Sequence, residues 1–235
     1  LSSITVEQTK ATDQTMGQCH ELLDYLATNS EAEIQFHASD MVMNIHSDAS
    51  YLSETKSRSR ACGHFFMGWM PKKDESIQLN GAFYVNTTIL RFVVASAAEA
   101  ELGALFINAK EAVHMRRILQ EMGHPQPRTP IQTDNSTAEG VINSRVRPKR
   151  TKSMDMRFEW LLDREQQGQL KIYWRPGKTN LADYFTKHHP PAHHRNVREI
   201  FLTRIAELQR LRQEQAKGRE AGLATTDGIM FPKCS

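Results

Sequence analysis

Four acidic residues stand where metal chemistry would need them: Asp48 after a short extended run, Glu101 inside a helical pattern, Asp134 at a second strand end, and Asp183 opening a late helix. Carboxylates that end strands and line one helix can converge above a sheet edge. Two of them about 4 Å apart repel by roughly 4 kcal/mol at an effective dielectric of about 20. Such a cluster either takes up protons or is neutralised by divalent cations. An all-carboxylate ligand set favours Mg2+ or Mn2+ over zinc.

Each carboxylate also has a plainer reading. Asp48, just ahead of Ala49-Ser50-Tyr51, would open a turn. Asp134 would cap the helix that follows it, and Asp183 would complete a capping box with Asn180. The long helical pattern offers both Glu99 and Glu101, which are two positions apart and cannot share a face. At about 100° per residue, Glu101 lies roughly 40° from Leu105, within the stripe of Ala98, Leu105, Ala109, Ala112 and Leu119, while Glu99 lies about 120° away. A carboxylate inside an apolar stripe is uncommon unless something pairs with it, so Glu101 is the stronger candidate. Its plainer reading is an acid favoured by the helix macrodipole.

The elements that must hold these residues can be read along the chain. Residues 5 to 28 have helical spacing in Val6, Met16, Cys19, Leu22, Leu23 and Leu26, and are expected to form an accessory helix. Three extended runs follow, MVMNIH from Met41, ACGHFFMGWM from Ala61 and SIQLNGAFYV from Ser76, and their succession predicts an antiparallel meander. A helix over 97 to 122 stops at Gly123 with Pro125 beyond it. Next come a strand at 129 to 133, a short helix to Asn143, a helix from Ser153 to Gln167, a strand over Leu170 to Trp174 and a helix beginning near Asn180. An amphipathic helix from 194 to 216 carries Val197, Ile200, Phe201, Ile205, Leu208 and Leu211 on one side, and the end from Gly218 is expected to be loose. This order describes an α/β layer on a mixed five-stranded sheet flanked by helices.

The 235 residues suffice for one domain of about 150 residues plus accessory segments. A mean hydropathy of −0.55 and the absence of any apolar run near 20 residues exclude a membrane span. No basic region followed by an apolar core opens the chain, so a signal peptide is not expected. Cys19, Cys62 and Cys234 are odd in number and far apart, which argues against a disulfide framework or a thiolate zinc site and favours a reducing, intracellular compartment.

A net charge of +3 diagnoses nothing, but its distribution does. In SRVRPKRTKSMDMR, Arg145, Arg147, Lys149, Arg150, Lys152 and Arg157 face only Asp155, a patch suited to phosphates through counterion release. The plainer reading is a solvated charged loop. HHPPAHH raises a zinc question through His188, His189, His193 and His194; with no Cys near and two stiffening prolines, a solvated connector is expected. Trp69, Trp160 and Trp174 read as core or rim residues rather than base-stacking platforms.

These residues resemble the ribonuclease H domain at the end of the polyprotein of copia-type, Pseudoviridae-like retrotransposons. The matching segments are Ser47-Asp48-Ala49, AAEAEL at 97 to 102, TDNSTA at 133 to 138, RTKSMDMRFEWLLDRE at 150 to 165 and NLADYFTK at 180 to 187. NLADYFTK and AAEAEL are the specific ones. The resemblance covers about 40 to 190. It implies a ribonuclease H-like domain over 41–190, with three antiparallel strands and two parallel additions. Residues 1–40 would be a connector helix from the polymerase side, and 191–235 a C-terminal helix and tail. No Tyr-x-Asp-Asp segment of a polymerase occurs. The chain departs from the family at Ala97-Ala98, Leu102 and Ser153, where Ser-Thr, Tyr and His are usual.

The resemblance implies hydrolysis of the RNA strand of RNA/DNA hybrids by two Mg2+ or Mn2+ ions held by Asp48, Glu101, Asp134 and Asp183, in the cytoplasm or in a virus-like particle. Asp48 would bridge the ions, Asp134 and Asp183 would serve the one activating water, and Glu101 the one facing the leaving oxygen. Asn135 and the basic stretch would contact nucleic acid, and the polymerase portion of the polyprotein would be a partner. No His lies between His124 and His188 to act as the loop His of some cellular ribonucleases H. Two other readings are an integrase or transposase core of the same fold and a catalytically decayed module that holds hybrid for a neighbouring polymerase.

Overall fold

The computed structural model describes residues 4–5, 7–72, 75–142 and 155–204. Helix α1 is Asp13–Thr28, followed by β1 Val42–Glu54, β2 Arg58–Gly68, β3 Ala82–Ile89, α2 Ala97–Glu121 and β4 Thr129–Thr133. Next come α3 Ser136–Ile142, α4 Asp155–Gln166, β5 Leu170–Trp174, α5 Asp183–Thr186 and α6 Pro191–Phe201. The sheet runs β3-β2-β1-β4-β5. The first three strands pair antiparallel, and β4 joins β1 and β5 joins β4 in parallel. This is the expected arrangement of a meander with two parallel additions.

Strand β1 is central, and side chains alternate across it. Met43 and Ile45 enter the apolar core with Phe65, Leu105, Ala109, Ile131, Leu161 and Ile172, beneath α2, α3 and α4. On the opposite face His46 accepts a hydrogen bond from Leu181 N (3.1 Å), and Asp48 accepts one from Thr186 Oγ1 (2.6 Å). A strand covered on both faces loses the simple alternation of apolar and polar residues. The strand continues through the turn-like Ser47–Ser50 because each residue has a partner on β2, Asp48 opposite Cys62 and His46 opposite His64.

Other boundaries moved for local reasons. The run from Ser76 joins the sheet only at Ala82, because Asn80 ties the preceding backbone elsewhere: its amide donates to His37 O (2.9 Å) and Met67 O (2.6 Å) and its oxygen accepts from His37 N (2.8 Å). The expected helix over 194 to 216 instead begins at Pro191, a residue whose fixed φ suits a first helical position, and ends at Phe201. Leu202 is extended, and Thr203–Arg204 pair with Ala32–Glu33 in a separate two-stranded ladder. Ile205, Leu208 and Leu211 lie outside the described residues. Helix α1 leaves Met16, Leu23 and Leu26 exposed, so its apolar stripe is not core here. No described helix is long and apolar enough to cross a membrane.

Helix α2 is locked onto the sheet at Asn108, whose amide donates to Ser47 Oγ (3.0 Å) and Cys62 O (2.9 Å). The close approach needs glycine at position 63: a Cβ there would sit 2.7 Å from the Phe65 ring and collide with the Asn108 amide. Gly63→Ala is therefore expected to cost about 1–3 kcal/mol, the usual range for overpacking, read as a lower urea midpoint at unchanged slope.

Candidate metal centre

Asp48 comes from the middle of β1, Glu101 from the second turn of α2, and Asp134 from the residue just past β4. Each offers one carboxylate oxygen, and these oxygens lie within 4.8 Å of one another. Asp183, the first residue of α5, is close enough for its charge to raise the pKa of both Asp48 and Asp134, and its carboxylate is paired with the Lys187 ammonium. The four candidates thus converge, three as a tight group and the fourth at its margin.

The plainer readings fall to other residues. Asp48 opens no turn, since it lies within a strand. Asn135 rather than Asp134 caps α3, its Oδ1 accepting from Ala138 N (3.0 Å). Glu99 serves the start of α2, where Ser96 Oγ accepts from Glu99 N (3.2 Å) and Glu99 Oε2 from Ala95 N (2.7 Å). That leaves Glu101, whose Oε1 accepts from Ala49 N (3.0 Å) while Oε2 is buried without a partner.

Several contacts hold the carboxylates in place. Asn108, two turns beyond Glu101, fixes α2 against β1. Asn180 donates to Ser47 O (2.8 Å), so the NLADYFTK segment docks along β1 beside Asp48. Trp174 Nε1 donates to Asp134 O (2.8 Å), and a Cβ at Gly177 would come 2.7 Å from Asp134 Oδ2. Asn180, Thr186 and Trp174 were not singled out for these roles from sequence, although NLADYFTK contains the first two. Beneath the cluster, burial pushes His46 down to about 3 and His64 to about 4, which keeps both imidazoles neutral.

Burial dominates the electrostatics. It pushes the Asp48 carboxyl up to about 6 against the opposing Thr186 hydrogen bond, and the Asp183 and Asp134 charges add to the rise. Glu101 is raised well above its ordinary value by burial and then by Asp48 and Asp134. Asp134 is raised by burial and then by Asp183. Buried carboxylates raised together by one another's charge are what a multivalent cation would relieve. The unpartnered Glu101 Oε2 and the oxygen-only donor set fit a hard divalent ion. Among the described residues this is the one group of three or more His, Cys, Asp or Glu so arranged.

Three of the four histidines that raise a zinc question, His189, His193 and His194, pack as aromatics instead. His189 stacks on Tyr184 (5.1 Å) and His193 (4.4 Å), and His194 meets the edge of Tyr25 (5.3 Å). Trp160 packs edge-on against Phe106 at the margin of the core, and Trp174 is a half-exposed rim residue. Arg157 lies 3.7 Å over the Phe92 ring. Arg145, Arg147, Lys149, Arg150 and Lys152 fall outside the described residues.

Strand order and carboxylate placement define a ribonuclease H-like fold. In sequence the chain is similar to the retrovirus-related Pol polyprotein from transposon TNT 1-94 of Nicotiana tabacum, 25% identical over 166 residues, covering 71% of this chain and 12% of the polyprotein. The resemblance to a retrotransposon polyprotein is thereby borne out, and the chain spans about an eighth of that relative. No family model matches.

Similar solved structures include the N-terminal ribonuclease H domain of rv2228c from Mycobacterium tuberculosis, 13% identical, covering 62% of this chain and 91% of that one at a TM-score of 0.44. LC11-RNase H1 in complex with RNA/DNA hybrid, from a compost metagenome, is 11% identical over 61% and 92% of the two chains at 0.43. The foamy viral protease-reverse transcriptase in complex with dsDNA is 16% identical over 62% and 90% at 0.40.

The raised Asp48 carboxyl gives a signed pH dependence. With chelator present, its contribution to stability is full below pH 3.8 and is lost as pH rises to about 6, because the unfolded chain ionises first. Thermal midpoints should fall across that window, Mg2+ should restore them above it, and Asp48→Asn should flatten the decline. A decline unchanged in Asp48→Asn would remove Asp48 as its source.

Proposed function

We propose that this chain is a divalent-metal-dependent endonuclease that hydrolyses the RNA strand of RNA/DNA hybrids as part of a retrotransposon polyprotein. The observation that carries the reading is the convergence of Asp48, Glu101 and Asp134 within 4.8 Å, with Glu101 Oε2 buried and unpartnered. Two Mg2+ or Mn2+ ions, when bound, would lower the pKa of the attacking water and stabilise the leaving oxygen.

The residues would divide that work among them. Asp48 would help hold the ions together with Glu101 and Asp134, whose carboxylates lie beside it. Asp134 and Asp183 would help hold the ion that activates the attacking water. Glu101 would serve the leaving-group side, with the Ala49 N–H fixing its Oε1 and its unpartnered Oε2 left for a ligand. RNA differs from DNA by its 2′-hydroxyl, for which Glu101 or the backbone near Asp48 is a natural partner. The basic residues from Arg145 to Lys152 and Asn135 would meet phosphates, contacts that position a duplex without reading its sequence. Cleavage is therefore expected with little sequence preference. A connector role for residues 1–40, toward the polymerase portion as partner, fits the exposed Met16, Leu23 and Leu26 of α1.

The test is incubation of the purified chain with end-labelled RNA/DNA hybrid and Mg2+ or Mn2+. Only the RNA strand should be cut, and Asp134→Asn should slow cleavage by about 100-fold or more, the scale of losing one electrostatic contact to a transition state. Tight binding of intact hybrid under both metals would instead mark a decayed binding module, and DNA strand transfer an integrase-type core.

A further inference from the structure

Resting on that reading of the carboxylates as a metal centre, we infer that Lys187 is a built-in counter-cation of the centre, which a divalent ion must displace from Asp183. Lys187 lies four residues beyond Asp183, across the single turn of α5, and its ammonium pairs with Asp183 Oδ1. Its charge also acts on Asp48, Glu101 and Asp134, in each case favouring the ionised carboxylate.

The placement of the ammonium follows from its neighbour. Thr186 is buried and bonded to Asp48, which fixes the backbone next to Lys187 and presents the lysine to the margin of the cluster. The Lys187 side chain is 52% exposed, so it can leave Asp183 for solvent without burying its charge.

An ordinary surface pair at this spacing would contribute little to stability and nothing to ion binding. Here the partner carboxylate is itself a candidate ligand, so the two cations compete for it. An ion that needs Asp183 free binds with its affinity reduced by the fraction of molecules in which Asp183 is released. A nucleic-acid phosphate that draws Lys187 away would raise that fraction. Substrate and ion would then favour each other's binding, and by linkage the effect is reciprocal.

Calorimetric titration of the full chain with Mn2+ tests this without reference to activity. Lys187→Met is expected to bind Mn2+ about 10-fold more tightly than the unsubstituted chain, within the range of ordinary coupling between sites, and Lys187→Arg to behave as the unsubstituted chain does. In an Asp183→Asn background, Lys187→Met should gain clearly less than 10-fold, because only the action of the charge on Asp48, Glu101 and Asp134 remains. Thermal midpoints in chelator establish that each variant is folded. Mn2+ affinity in Lys187→Met within two-fold of the unsubstituted chain, or weaker, overturns the role of Lys187 while leaving the metal centre standing. Absence of Mn2+ binding by every form, Asp134→Asn included, overturns both.

Discussion

Mutual repulsion among buried carboxylates is the constraint around which this molecule is built. Asp48 and Glu101 are almost wholly buried, and with Asp134 they approach within 4.8 Å. Left ionised, two such charges about 4 Å apart would cost roughly 4 kcal/mol at an effective dielectric of about 20, a push that protons or a cation relieve and that the backbone must otherwise resist. Each anchor answers it from a different element: the Ala49 N–H on Glu101, the Thr186 hydroxyl on Asp48, and the Trp174 indole on the Asp134 carbonyl.

These anchors depend on both faces of the sheet being covered. On one face Asn108 and Gly63 bring α2 close enough for Glu101 to reach the backbone of β1. On the other, the segment from Asn180 to Thr186 lies along β1, bonded to Ser47 O, His46 and Asp48 in turn. His46 accepts a backbone N–H there, a role that requires a neutral imidazole, and its burial keeps it neutral.

Much of this was legible in the sequence where local signals agree. Strands β4 and β5 and helix α2 were read nearly residue for residue, because turn residues bound them and helical periodicity runs through α2. Periodicity also separated Glu101 from Glu99, and the structure gives Glu99 a capping role that accounts for its presence. The full length of β1 was hidden because Ser47-Asp48-Ala49-Ser50 has turn-like composition, and only its pairing with β2 makes it a strand. Thr186 was hidden for a similar reason: its partner is 138 residues away, a separation no local pattern reports. The start of α6 at Pro191 was missed because a proline pair suggests extension as readily as a helix start.

The central claim is that the carboxylates of β1, α2, β4 and α5 form a seat for divalent ions. Anomalous diffraction from crystals soaked in Mn2+ tests it most directly. The account predicts a peak at coordination distance from Asp48, shared with Glu101 or Asp134. An empty centre at saturating Mn2+, with Asp48 and Glu101 joined to each other by a short proton-sharing hydrogen bond, would contradict it.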